Sequence, residues 1–324
     1  MPFREFADWM SLRHGPGGRA LAAVLGVLVA CVLAASAAEP VGVPAQGPSK
    51  GRFLRIVRDA QGRPQSLQTA IVHLAPAAAG PGAATVDLVA ATHIADKGYY
   101  EQLNREFRRY DAVLYELVAP QGTRIPKGGR KTGDNPVSAV QKGMKNLLEL
   151  EFQLDQIDYT AKNMVHADMS PQQFAQSMRD RGESVWDILG RMFVYAMAKQ
   201  SSGDDTSGAE LLFALFDKHR ALALKRVLAE QFEDMEGVLV VLEGPNGSTL
   251  VSQRNKTALE VLRKQMASGK RKIAIFYGAA HMSDFEKRLA DDFGLHAVQV
   301  RWLPAWDLKG PAKPPAKGDK SPRP

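Results

Sequence analysis

The sequence predicts an α/β fold: a mostly parallel central sheet from two related strand–helix–strand units, with a central helical layer covering one edge. Three observations carry this. Short apolar runs bounded by turn signals occur on both sides of the chain's middle, as buried strands require. One such run on each side is followed by a helical pattern and then a second run, the order that parallel pairing needs. Between the two sides lies a long stretch with helix-start signals.

The folded region begins at about residue 53. Phe53–Val57 and Leu67–Leu74 read as strands separated by a turn at Gln61-Gly62-Arg63-Pro64. Val86–Ala91 reads as a buried strand, Tyr99–Arg109 as a helix through Tyr100, Leu103 and Phe107, and Ala112–Leu117 as a second buried strand. The stretch 135–233 reads as helical. Asn135-Pro136 supplies a cap and a first-turn proline, and Ser170-Pro171-Gln172-Gln173 is a capping box. Ser184 with Asp187 repeats that pattern more weakly, and Leu147, Leu150, Leu154 and Ile157 recur at helical spacing. Val185–Ala198 is too short for a membrane span and reads as a core helix, followed by a polar loop at Gly203–Gly208. The third part returns to the α/β pattern: helix Lys256–Met266, strand Lys272–Tyr277, helix Phe285–Asp292, strand Ala297–Leu303. Ala90-Ala91-Thr92-His93-Ile94-Ala95-Asp96 lines up with Gly278-Ala279-Ala280-His281-Met282-Ser283-Asp284, which suggests an internal duplication.

The two ends read differently. Residues 1–38 have the order of an export signal: arginines, the apolar run Ala20–Ala35, then Ser36-Ala37-Ala38 before Glu39-Pro40. The apolar run is shorter than the roughly 20 residues of a bilayer span. An uncleaved anchor or a lipid on Cys31, within Leu28-Val29-Ala30-Cys31, is the alternative by which the chain would meet a membrane. Residues 39–52 form a linker rich in Pro, Gly and Ala, and 309–324 a Pro/Lys-rich tail that cannot bury surface. The domain is therefore placed at 53–308, exported to the periplasm or the exterior.

The net charge of +7 points to nucleic acid at first sight. Its location argues against that, because residues 1–38 hold +1 and the tail +4, leaving +2 on the body. Cys31 is the only cysteine. Thiolate catalysis, disulfides and Cys-ligated zinc are excluded for the body.

Chemistry then falls to His, Asp and Glu. Parallel sheets present ligands at the carboxyl ends of their strands. His93 and His281 fall there, and Glu116 ends the strand after His93 in Leu114-Tyr115-Glu116-Leu117. A carboxylate in such an apolar setting is costly to bury unless paired or bound to metal. Two imidazoles and a carboxylate suit zinc, manganese, cobalt or iron, with an open position for water. Without a metal, a His–Glu pair can act as a general base. Arg254 can clamp a carboxylate, of the substrate or of Glu116, and Asn255 can cap a helix. His166 and Asp168 stand before the capped helix, where they can reach the site or join a local cap network. His73, His219 and His296 read as ordinary surface or strand residues. His-Glu-x-x-His, Gly-x-Ser-x-Gly, P-loop and Gly-x-Gly-x-x-Gly motifs are absent, which disfavours the common zincins, serine hydrolases and nucleotide-binding enzymes.

These residues resemble the TraB/TIKI superfamily, which takes in pheromone-shutdown (PrgY), GumN-like and erythromycin-esterase-like proteins. The family pattern is Gly-x-x-His after a first strand, Glu ending the next, an Arg-Asn pair and a second Gly-x-x-His. Gly278-Ala279-Ala280-His281, Asp111–Glu116 and Arg254-Asn255 match. The first motif, Ala90-Ala91-Thr92-His93, has Ala for Gly, which removes backbone freedom at that strand end. The resemblance covers about residues 85–118 and 250–306. It implies a sheet flanked by helices. In TIKI members it implies metal-dependent peptide hydrolysis, and in other relatives metal-free ester hydrolysis or haem binding. The expectation is a metal-dependent, peptidase-like hydrolase acting on a peptide or small molecule, with His93, Glu116 and His281 on the metal. The alternatives are an envelope protein that binds haem, a metal or a peptide without catalysis, and a metal-free esterase.

N-terminal sequencing of the exported protein is expected to begin near Ala38 or Glu39. An intact Met1 on soluble protein in the cytoplasm would refute the export reading.

Overall fold

The computed structural model describes residues 51–78, 80, 82–126, 128, 147–184, 210, 213–214, 216–243 and 247–310. The segments read from the sequence as a signal (1–38), nearly all of the linker, a cap (Asn135-Pro136), a core helix (Val185–Ala198), a loop (Gly203–Gly208) and almost all of the tail lie outside them.

The fold is α/β, with a mixed, largely parallel central sheet. Among the described residues the strands are β1 (Leu54–Arg58), β2 (Pro64–Pro76), β3 (Thr85–Ala91), β4 (Ile94–Ala95), β5 (Ala112–Tyr115), β6 (Glu151–Phe152), β7 (Met164–His166), β8 (Lys272–Gly278) and β9 (Leu295–Asp307). The helices are α1 (Lys97–Phe107), α2 (Gln153–Gln156), α3 (Pro171–Asp180), α4 (Arg220–Glu243), α5 (Arg254–Ala267) and α6 (Met282–Phe293). The main sheet runs β1-β2-β3-β8-β5-β7, with β9 along the other edge of β2. The pairs β3–β8, β8–β5 and β5–β7 are parallel, whereas β2 is antiparallel to β1, β3 and β9.

The order β3-β8-β5 matters most. β8, from the C-terminal part of the chain, inserts between the two strands that α1 connects. Its run Ile273–Tyr277 is buried on both faces, which explains why it reads as continuous apolar sequence instead of an alternating one. The two faces carry separate cores. One holds Val89, Val113, Phe276, the α1 residues Tyr100, Leu103 and Phe107, and Leu224 of α4. The other holds Leu88, Leu114, Ile275, Tyr277, Leu259 and Leu262 of α5, and Phe285 of α6.

Three expectations are corrected. The stretch 135–233 is not wholly helical, because β7 lies within it and joins the main sheet beside β5. The apolar spacing from Leu147 to Ile157 does not make one helix. Glu149 sits at φ 53, in the left-handed region that stops a helix, and β6 and the single turn α2 follow. β9 does not neighbour β8. It lies beyond β3 and β2, antiparallel to β2 over the length Ser66–Pro76. The capping box at Ser170 forms as read, with Ser170 and Gln173 each accepting the other's backbone N–H.

No helix among the described residues is long and apolar enough to cross a membrane. Phe276 is fully buried at the sheet centre and edge-on to Phe107 at 4.8 Å. Phe276→Ala is expected to cost about 3–5 kcal/mol, lowering Tm by about 10 °C or more. Phe216→Ala, at a side chain 89% exposed, should leave the melting curve in place.

Candidate functional site

Three adjacent strand ends converge. His93 follows β3, Gly278 ends β8 with His281 three residues on, and Glu116 follows β5. A Cβ placed on Gly278 would stand 3.4 Å from Glu116 Oε2, 3.9 Å from His281 Cδ2 and 3.9 Å from His93 Nε2. The structure thus brings the three sequence-predicted residues together around Gly278. Glu116 and His281 are buried there and His93 is exposed.

The backbone carrying His93 is tied down at four carbonyls. Tyr99 and Tyr100 of α1 donate their hydroxyls to Ala90 O and Thr92 O, each at 3.1 Å. Gln153 N–H donates to His93 O at 2.9 Å and the Trp306 indole N–H to Ile94 O at 2.8 Å. The residue in the first motif's Gly position, Ala90, is an ordinary buried strand residue paired with Tyr277. Its Cβ packs in the core, so the departure from Gly costs nothing there.

Glu116 is held from two sides. Arg254 Nη2 donates to Oε1 at 2.6 Å, and Gly278 N–H donates to Oε2 at 2.7 Å. Burial opposes its charge, but Arg254 and the two imidazoles, with the Gly278 N–H, outweigh that and keep the carboxyl far below the usual carboxylate range. Arg254 also grips Asp168 through both carboxylate oxygens, at 3.0 and 2.6 Å. It is 11% exposed. Burial alone would lower its pKa, and the two carboxylates raise it instead. Arg254 opens α5 directly after a π-helical turn, Thr249–Gln253, a geometry common at functional sites.

Asn255 does not cap α5 and instead orients His281. Its Nδ2 donates to His281 O at 3.0 Å and to Asp284 Oδ2 at 2.8 Å, which turns its Oδ1 toward the ring. His281 Nδ1–H donates to that oxygen at 2.7 Å. The lone pair is therefore on Nε2, 3.6 Å from Glu116 Oε1 and 3.5 Å from Arg254 Nη1. Burial lowers the His281 pKa to about 4. Arg254 adds to this and Glu116 partly offsets it, so the imidazole is neutral at pH 7.

Asp168 thus joins the Arg254–Glu116 group, and it also accepts from the Met169 N–H, whereas Ser170 and Gln173 make the helix cap. His166 makes no bond to His93, Glu116 or His281; its Nε2 meets Leu117 O at 2.6 Å. His73 pairs with Asp87 toward the other end of β3. The sequence reading missed the Gly278 N–H as a donor. It also missed Tyr277, whose ring stands edge-on to His281 at 5.2 Å and whose hydroxyl bonds Ala167 O. No sequence signal marks these contacts, which depend on how the strands are ordered.

His281 takes a proton at about pH 4 when folded and about 6.5 when unfolded. Between those values the unfolded chain binds the extra proton, so stability is lost as pH falls from 6.5 toward 4, by about 3 kcal/mol. Denaturant titrations at pH 7, 5.5 and 4.5 should show this loss, and His281→Gln should remove that part of it. Equal slopes for both proteins would show that His281 titrates freely.

Searches of family models, curated proteins and solved structures found no match to this chain.

Proposed function

We propose that this group of side chains is the water-activating site of an exported hydrolase, peptidase-like, of the TraB/TIKI type that the sequence resembles. One observation carries the reading. A neutral imidazole, locked by Asn255 with its Nε2 lone pair toward Arg254 Nη1 and 3.6 Å from the ionised Glu116, shares the space beside Gly278 with a second imidazole, His93. The two strand–His–helix segments are read as a duplicated pair whose first strands became neighbours.

Water bound beside Gly278 would lie between His93 Nε2 and Glu116 Oε2. His93, on the open side, takes its proton as the water attacks a substrate carbonyl. Glu116 stabilises the imidazolium that forms, while His281 and Arg254 hold Glu116 and the water in place. The ionised Glu116, strongly stabilised by Arg254, is a carrier of charge here and a poor base.

His93, Glu116 and His281 are also the donors that a zinc, manganese, cobalt or iron ion would use. They do not fit an ion as they stand. Arg254 presents one guanidinium nitrogen to Glu116 Oε1 and another to His281 Nε2, where the cation would sit. Among the described residues no three His, Cys, Asp or Glu side chains are grouped as ligands for one ion. The side chains suffice for general-base hydrolysis of an activated carbonyl.

The test is hydrolysis of matched ester and amide substrates by the purified mature chain, with and without chelator, alongside metal analysis and the visible spectrum. Chelator-resistant turnover supports the reading. Turnover that chelator abolishes and a divalent ion restores would put an ion on these donors, and haem absorbance without turnover would make the protein a binding protein. His93→Ala is expected to lower kcat by about 100-fold or more. Gly278→Ala should fold normally, since φ −52° and ordinary contact distances admit a methyl. That methyl fills the water's place, so kcat should fall by about 100-fold. His219→Ala should change neither activity nor Tm.

A further inference from the structure

Among the described residues, two buried side-chain atoms have no hydrogen-bond partner: Gln153 Oε1 and His166 Nδ1. They lie on separate elements, α2 and β7, and border one aromatic group. Gln153 Nε2 donates to the Tyr159 hydroxyl at 2.9 Å. The Tyr159 ring stands edge-on to Tyr115 at 4.9 Å, and Tyr115 lies against the His166 ring at 5.7 Å. Both orphans are acceptors. His166 Nε2 faces a carbonyl, so it carries the hydrogen and leaves a lone pair on Nδ1. Gln153 is 5% exposed, and leaving a buried acceptor unpaired is unfavourable. Turning the Gln153 amide over would only exchange one unpaired atom for another.

This group adjoins the site. The Gln153 N–H holds His93 O, Tyr115 precedes Glu116, and His166 is the register partner of Tyr115 and bonds the residue after Glu116. The charge nearby is unbalanced, with one guanidinium, Arg254, between two carboxylates, Glu116 and Asp168. Two free acceptors beside a tyrosine pair and one excess negative charge make an environment that favours a cationic donor.

We propose that Gln153, His166 and the Tyr115–Tyr159 pair form a subsite for a protonated primary amine of the substrate, so that the site takes substrates with a free amino group beside the carbonyl. This rests on the hydrolytic reading for its substrate class but is tested by binding alone. Calorimetry on the full chain at pH 7, where an α-amino group is mostly protonated, would compare leucinamide with N-acetylleucinamide. Leucinamide should bind at least about ten-fold more tightly. Gln153→Leu should erase the preference. Gln153→Glu, of the same size and with a negative charge, should keep or strengthen it, and it decides the matter if the Leu variant melts early. Equal affinity for the two compounds, binding of neither, or a Glu variant that treats them alike would overturn the subsite. Preferential binding of leucinamide with no cleavage of any amide or ester would instead overturn the hydrolytic reading and leave the subsite standing.

Discussion

Arg254 is the cation around which the buried polar centre is built. It starts α5 and reaches Glu116 at the end of β5 and Asp168 just beyond β7. Three elements distant in sequence are thereby fixed to one guanidinium. A charge this deeply buried is tolerated only while it is paired, and removing one partner of such a group typically costs about 3–5 kcal/mol. The ionisation of Glu116 and the position of the loop after β7 depend on it. Glu116 then passes the constraint on, because its second oxygen is held by the Gly278 N–H of the central strand.

The two imidazoles differ in kind despite their similar motifs. His281 is enclosed, with Asn255 on Nδ1 and Tyr277 against the ring. His93 is exposed, and its order comes from its backbone, anchored by Tyr99, Tyr100, Gln153 and Trp306. One ring is set by its side-chain partners and the other by the framework beneath it. An exposed ring on an anchored backbone thus stands beside an enclosed ring locked by its neighbours.

Much of this was legible in the sequence where the physics is local. Val86–Ala91, Lys272–Tyr277 and Ala112–Leu117 are apolar runs that sheet burial demands, and β3, β8 and β5 follow them closely. Glu116 was conspicuous because a carboxylate in that setting needs a partner. What could not be read was long-range. β7 is only three residues long, Met164–His166, and nothing in so short a run distinguishes a strand. Leu147, Leu150, Leu154 and Ile157 kept helical spacing while Glu149 broke the backbone. Asn255 looked like a cap because Asn before a helical run usually is one. The π-helical turn before it moved the helix start and freed its amide for His281. The unpaired acceptors of Gln153 and His166 leave no trace in spacing or composition.

The insertion of β8 between β3 and β5 also governs when the centre exists at all. A ribosome that has delivered the chain only as far as residue 271 has released β3, α1 and β5, yet the strand that joins them is still to come. Until it arrives both inner edges carry unpaired amides, Glu116 lacks the Gly278 N–H, and His281 is absent. β9 must come later still to supply the Trp306 bond to Ile94. Such an arrangement forms slowly, through contacts between distant parts of the chain. The grouping of His93, Glu116 and His281 therefore forms only after the chain beyond residue 271 has been delivered.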